Sequence, residues 1–260
     1  MAIAYDGSAD YSIKGSNLSL SASGWTFSFM FRTTDATSTI LSLGVFDGTE
    51  YIQMLLNSGA ANRMEWMFAG AVGATQVSNI NTTWIDGSWH RHVVTWDGNT
   101  GTSSMAWYID GVSKSLSYVT STGTGTITAD YPMTLGARNN QGTPDLHTDC
   151  DFADFAIYDG VQLSAADAAE LTTHSCLAVR PADLTAFSHL FNSDAASQDI
   201  IDGDSWTHSS SPPNTDHPPL IYPSRRQLIL PPAAAASFVP YPNPRYALTG
   251  GHQPLGGGIA

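Results

Sequence analysis

Residues 88–98 read SWHRHVVTWDG, which places His90 and His92 one residue apart, beside Arg91 and shortly before Asp97. The reading of this stretch decides the fold. A strand sends successive side chains to opposite faces. His90, His92, Val94 and Trp96 therefore share one face, and Trp89, Arg91, Val93 and Thr95 the other. Asp97-Gly98 ends the run as a tight turn, where glycine supplies the backbone freedom a turn needs. Two histidines at i and i+2 could hold a metal, but a third ligand is required and none lies nearby in sequence. The pair is expected to be packed and hydrogen-bonded in a strand, with metal binding and ligand contact as the alternatives.

The same pattern recurs along the first 171 residues. Runs such as WTFSFMFRT (25–33), TILSLGVF (39–46), YIQMLLN (51–57), RMEWMFAG (63–70), MAWYIDGVSKSL (105–116), YPMTLGAR (131–138) and DFADFAIYDG (151–160) are short, apolar or alternating. Gly, Asn, Asp and Ser separate them, which predicts many strands with short turns and hence a sandwich or barrel. One helix is predicted in LSAADAAELTTH (163–174), with Ser164 as N-cap and Asp167 three residues on. LTAFSHLF (184–191) predicts another strand, and DIIDGDSWTHSS (199–210) a strand and turn.

Composition narrows the function. The chain has 260 residues, 42% of them apolar, so a sizeable core can form. Only 13% are charged, about half the usual share, and the net charge is −13. That argues against nucleic acid as a partner, since phosphate binding needs clustered Lys and Arg. No N-terminal run has the basic and apolar regions of a signal peptide, and none approaches a membrane span. Cys150 and Cys176 are the only cysteines. They are expected as buried thiols, with a disulfide as the alternative.

The composition changes near Pro212. Eleven of the fourteen prolines lie at or beyond it, with one acid and three arginines, so this part carries +2 and the remainder −15. Proline lacks a ladder donor and glycine costs entropy, so residues 223–260 are expected to form an extended arm. At about 3.1 Å per residue in polyproline form it would reach on the order of 100 Å. Its apolar and basic residues Arg225, Arg226, Leu228, Leu230, Phe238, Tyr241, Arg245 and Tyr246 suit a segment that docks on a partner. Residues 1–222 would be the folded domain, with a core over 1–175 and added strands over 176–222.

With the motifs assembled, the first 171 residues resemble the laminin G-like, concanavalin A-like lectin-glucanase jelly-roll family. YDGSADY (5–11), WTFSFMFRT, ILSLG (40–44), DGSWHRHVVTWDG (86–98), WYIDGV (107–112), MTLGAR (133–138) and FADFAIYDGVQLSAADAAEL (152–171) occur in the order of that family's motifs. The resemblance implies an all-β antiparallel jelly-roll sandwich with one short helix. It makes His90 a framework residue and His92 a departure, because an apolar residue stands there in the family. The segment DHPPLIYPSRRQLILPP (216–232) is similar to tails on jelly-roll proteins of tailed-bacteriophage particles.

The resemblance also sets which chemistry to look for. Glycosidases need paired carboxylates, and Glu50, Glu65 and Glu170 lack suitably spaced partners. Asp145, Asp149 and Asp151 alternate and are weak calcium candidates; the bland expectation is a polar loop with no cofactor. Trp66, Trp84, Trp107 and Trp206 are candidates for glycan contact if exposed, with core or rim packing the expectation for each. The favoured expectation is a non-enzymatic virion protein, a bacteriophage capsid decoration or cement protein. Its partners would be the major capsid protein or other virion subunits, bound through the arm, and it would be a homo-oligomer, with a trimer as the form considered. The alternative is a lectin-like module binding a glycan at a host surface.

Overall fold

The structure is a computed structural model. It describes residues 2–35, 39–43, 50–56, 63–70, 74–81, 84–100, 103–122, 126–128, 131–188, 196–210 and 212–223. The predicted arm, apart from Pro223, lies outside the described residues, and so do all eight of its candidate docking side chains.

The described residues form two large antiparallel sheets. The first runs Val112–Ser113, Met105–Ile109, His90–Trp96, Trp25–Thr33, Asp149–Asp159, Ala2–Asp6 and Asn214–Thr215, with Ala186–Ser188 also paired to Asp149–Asp159. The second runs Ser117–Thr122, Ala74–Asn81, Arg63–Gly70, Tyr51–Leu56, Thr39–Leu43, Thr134–Leu135, Tyr11–Lys14, Ser205–Ser209 and Ala196–Gln198. Strands from beyond residue 185 are thus built into both sheets.

Alternation explains why the two sheets stick. Trp25, Phe27, Phe29 and Phe31 all point inward and are fully buried. They meet Ile52, Met54, Trp66 and Phe68 from the second sheet in one core. Each such side chain contributes about 1.5–3 kcal/mol on burial. The turn after His90–Trp96 depends on Gly98, whose φ is +82° and whose added Cβ would lie 2.6 Å from the carbonyl oxygen of Ala22.

The first sheet is buried on its other face too. The helix Ala165–Glu170 begins at the predicted Ser164 cap, with a full capping box to Asp167. Leu163, Ala168, Leu171, Leu177 and Val179 pack onto Val93, Ala156 and Tyr158. Beneath this cover lies a buried ion pair. Arg91 donates from Nη2 to Asp154 Oδ2 at 2.6 Å, and both side chains are essentially inaccessible. Asp154 is the extra residue of a β-bulge, at φ +48° between Ala153 and Ala156. The bulge turns its carboxylate to the outer side, where it also accepts from the Cys176 backbone N–H at 3.0 Å. Replacing a buried pair of this kind with apolar residues is often neutral, whereas removing one partner strands a buried charge.

Candidate functional site

The two histidines of the opening stretch have separate environments. His92 is fully buried and stacks on Phe29, with ring centroids 5.4 Å apart. Its Nδ1 accepts from Trp107 Nε1 at 3.2 Å, so the ring proton sits on Nε2. Burial pushes its pKa down to about 3. His90 lies at the rim, with Nδ1 2.7 Å from Asp110 Oδ2 and Nε2 3.2 Å from Asp86 Oδ1. The hydrogen bond to Asp110 raises its pKa. The two rings do not converge on a common point with a third ligand. One serves the core and the other ties two loops together.

Three of the four candidate glycan-contact tryptophans are core residues. Trp66, Trp107 and Trp206 are fully buried, because each occupies an inward position of its strand. Trp84 alone is half-buried. Lys114 Nζ lies 3.8 Å from its ring centroid and His90 meets it edge-on at 5.5 Å.

The calcium candidates are not brought together either. Arg138 donates to both oxygens of Asp145 at 2.7 Å, Arg32 pairs with Asp151, and Asp149 is exposed. Among the described residues no group of three His, Cys, Asp or Glu side chains is placed to hold a metal ion. Cys150 and Cys176 are both free and buried. Burial pushes the Cys176 thiol up to about 12 and raises Cys150 as well.

One pair looks nucleophilic in outline. Ser12 Oγ is 2.6 Å from His208 Nδ1 and 2.6 Å from the Tyr5 hydroxyl. Ser12 is fully buried, and its hydroxyl is held between the His208 ring and the Tyr5 hydroxyl. The cluster joins the first strand, Ala2–Asp6 of the first sheet, to two strands of the second, Tyr11–Lys14 and Ser205–Ser209.

The outer face of the second sheet holds the feature that the sequence did not announce. In Tyr51–Leu56 the residues Ile52, Met54 and Leu56 enter the core, so Tyr51, Gln53 and Leu55 face away from it. Gln53 pairs across the strands with Met67, and Leu55 with Glu65. Gln53 is 1% exposed, yet neither its Oε1 nor its Nε2 has a hydrogen-bond partner. An orphaned buried polar group costs about 1–3 kcal/mol. Met67 and Glu65 are buried beside it, while Tyr51, Leu55 and Ala69 are half-buried around it. The amide thus forms the floor of a face with both apolar and polar character. It offers two donors and two acceptor lone pairs. Glu65 is the single carboxylate among the described side chains of this face. The sequence signal for Gln53 was one amide at an outward position of an otherwise apolar run, which reads equally well as solvent-facing.

Comparison with known proteins agrees with this architecture. Residues 6–169, more than half of the chain, match the laminin G model of the concanavalin A-like lectin/glucanases superfamily. No curated protein matches the chain in a sequence search. Among solved structures, a candidate carbohydrate-binding protein from Bacteroides ovatus is similar with a TM-score of 0.55 at 15% identity, over 83% of this chain and 63% of that one. This chain therefore spans less than two thirds of that protein. The heptameric SAP-like pentraxin from Limulus polyphemus gives a TM-score of 0.48 at 14% identity, over 66% of this chain and 81% of the pentraxin. The CBM40 of a Ruminococcus gnavus sialidase gives 0.42 at 12% identity, over 58% and 83%. With two antiparallel sheets, a capped helix and a family match through residue 169, the chain belongs to the concanavalin A-like lectin/glucanases superfamily.

Proposed function

We propose that this chain is a non-enzymatic carbohydrate-binding module whose ligand lies on the outer face of the second sheet, over Gln53. The observation that carries the reading is the buried amide without partners. Sugar hydroxyls both donate and accept, so a pair of them complements an amide that offers both functions. Met67, unbranched and flexible, lies directly across from Gln53 and is the side chain that yields to admit a ring. The Bacteroides ovatus protein, a candidate carbohydrate binder, has the same fold and supports the class of ligand. Glu65 without a second carboxylate on the described face supports binding without hydrolysis, because glycosidases use two.

A glycan array with the full chain tests this. Binding is expected, and Gln53→Ala should weaken it by at least tenfold while Trp84→Ala leaves it unchanged. Binding that survives Gln53→Ala and disappears with Trp84→Ala would move the site to the Trp84, His90 and Lys114 rim. No binding to any glycan would refute the reading.

A second reading rests on the proline-rich, basic segment 223–260 beside an acidic body. In it the chain decorates a bacteriophage capsid as a homo-oligomer, and the arm docks on neighbouring subunits. Removing residues 223–260 should then abolish association with particles. A truncated protein that still decorates them would end this reading.

A further inference from the structure

Both ring nitrogens of His90 meet carboxylates. Nδ1 lies 2.7 Å from Asp110 Oδ2, and Nε2 3.2 Å from Asp86 Oδ1. An ionised carboxylate only accepts hydrogen bonds, and a neutral imidazole carries one N–H and one lone pair. Two such contacts therefore need two N–H groups, which only the imidazolium has. Both carboxylates are ionised at neutral pH. Asp86 sits below the ordinary carboxylate range because Ser88 N–H donates to its Oδ1 at 2.7 Å. Burial pushes Asp110 up, but the hydrogen bonds from His90 and from Arg91 N–H, the latter at 2.9 Å to Oδ1, outweigh it and bring Asp110 down.

The charges around the ring balance only when it is protonated. Lys114 Nζ lies 3.8 Å from the Trp84 ring centroid, and the Trp84 ring meets His90 edge-on at 5.5 Å. Arg91 points to the opposite face, where Asp154 neutralises it, and His92, on the same face as His90, is neutral. Phe31, the cross-strand neighbour in Trp25–Thr33, carries no charge. Asp86 and Asp110 thus stand with Lys114 and His90 at this rim, two negative charges with two positive ones. Loss of the ring proton leaves one negative charge in excess. The two contacts then fare differently. Nδ1 has the shorter bond, to an Asp110 that the strand anchors through Arg91 N–H. Nε2 has the longer bond, to an Asp86 side chain that is 49% exposed. With a lone pair facing a carboxylate oxygen that contact turns repulsive, and water takes over Asp86.

We propose that His90 is a pH-sensitive latch between two turns, which holds both Asp86 and Asp110 as an imidazolium and releases Asp86 alone when the Nε2 proton leaves. The released turn is Asp86-Gly87-Ser88, which the Gly87 N–H still ties to the Thr33 carbonyl at 3.0 Å. Trp84 lies two residues before it, so the latch sets how firmly the Trp84 and Lys114 rim is held. The Asp110-Gly111 turn stays in place, because Asp110 N–H also donates to the Arg91 carbonyl at 3.0 Å. The hydrogen bond to Asp110 is the main cause that favours the charged ring. The stability it contributes is therefore full below about pH 6.5 and is lost as pH rises through the folded value.

The test is an NMR titration of the imidazole nitrogens in the full chain from about pH 5 to about pH 9, with His90→Gln identifying the His90 signals. At the acid end both ring nitrogens should be protonated. The midpoint should lie above the ordinary value of about 6.5, and the proton should leave Nε2. Backbone nitrogen relaxation should show Asp86-Gly87-Ser88 loosening with that same midpoint while Gly111 stays ordered. Asp86→Asn supplies an amide that donates as well as accepts. It should lower the His90 midpoint and keep the turn equally ordered across the range. The proposal is overturned by a His90 midpoint at or below the ordinary value, by loss of the Nδ1 proton first, or by a turn whose order does not follow the His90 midpoint. An Asp86→Asn protein whose turn still loosens with rising pH overturns it as well.

Discussion

Acid should destabilise this protein through its buried histidines, and His92 allows the effect to be isolated. The ring is fully buried and its pKa is pushed down to about 3. In the unfolded chain it titrates near 6.5. Between these values the unfolded state binds a proton that the folded state refuses. Stability from this group is therefore full above about pH 6.5 and falls as pH drops toward 3. At about 1.36 kcal/mol per pH unit, lowering the pH from 7.5 to 5 removes about 2 kcal/mol. His208 sinks to about 4 through burial and acts in the same direction, and His217 is lowered as well. Asp10, Asp151 and Asp199 are raised by burial and work the other way, gaining stability as they protonate. His90, raised by its carboxylates, contributes a constant amount below pH 6.5 and loses it only as pH rises through its folded pKa. The clean measurement is thus the difference between wild type and His92→Leu. Urea unfolding followed by tryptophan fluorescence, at pH 7.5 and pH 5, gives that difference. The variant loses the acceptor for Trp107 at both pH values, but its stability relative to wild type should improve by about 2 kcal/mol on acidification. A relative stability that does not change with pH would refute the assignment of His92 as a buried neutral ring.

Other outcomes follow from the same structure. Gln53→Leu should raise stability by about 1–3 kcal/mol in urea unfolding while weakening glycan binding, because it removes an orphaned amide; a destabilised variant would mean that the amide is satisfied in solution. Truncating one partner of the Arg91–Asp154 pair, as in Arg91→Met, should cost about 3–5 kcal/mol by leaving a buried charge alone. Restoring neutrality with Arg91→Met/Asp154→Leu should recover part of that loss, and no recovery would argue against charge as the cause. Cys150 and Cys176 should resist thiol reagents in the folded protein and react only in denaturant, since both are buried with raised pKa values.

Much of the fold was legible because strong alternation leaves few options. WTFSFMFRT was predicted as residues 25–33 and forms Trp25–Thr33; the Ser164 cap was likewise readable from one serine and one aspartate. Ala74–Asn81 was missed because ATQVSNIN has few apolar residues to set a period. The predicted strand 131–138 shrank to Thr134–Leu135, since the φ of +77° at Gly136 turns the chain away. The candidate site was much less legible. Alternation shows that a tryptophan shares a face with its neighbours but not whether that face is core, so Trp66, Trp107 and Trp206 were candidates and proved to be filling. Gln53 could not be singled out, because a missing hydrogen bond is a property of surroundings that sequence spacing does not encode.

The placement of Ala2–Asp6 between Asp149–Asp159 and Asn214–Thr215 governs how the chain folds as well as how it is held. The opening strand has no neighbour until a partner from residue 149 onward is available, and its second edge stays open until residue 214. Closing such long loops comes before any contact rewards it, so folding should be slow for a domain of this size. During synthesis the aromatic face of Trp25–Thr33 would wait beside an unfilled edge. That makes the nascent chain, rather than the finished protein, the form most in need of a chaperone.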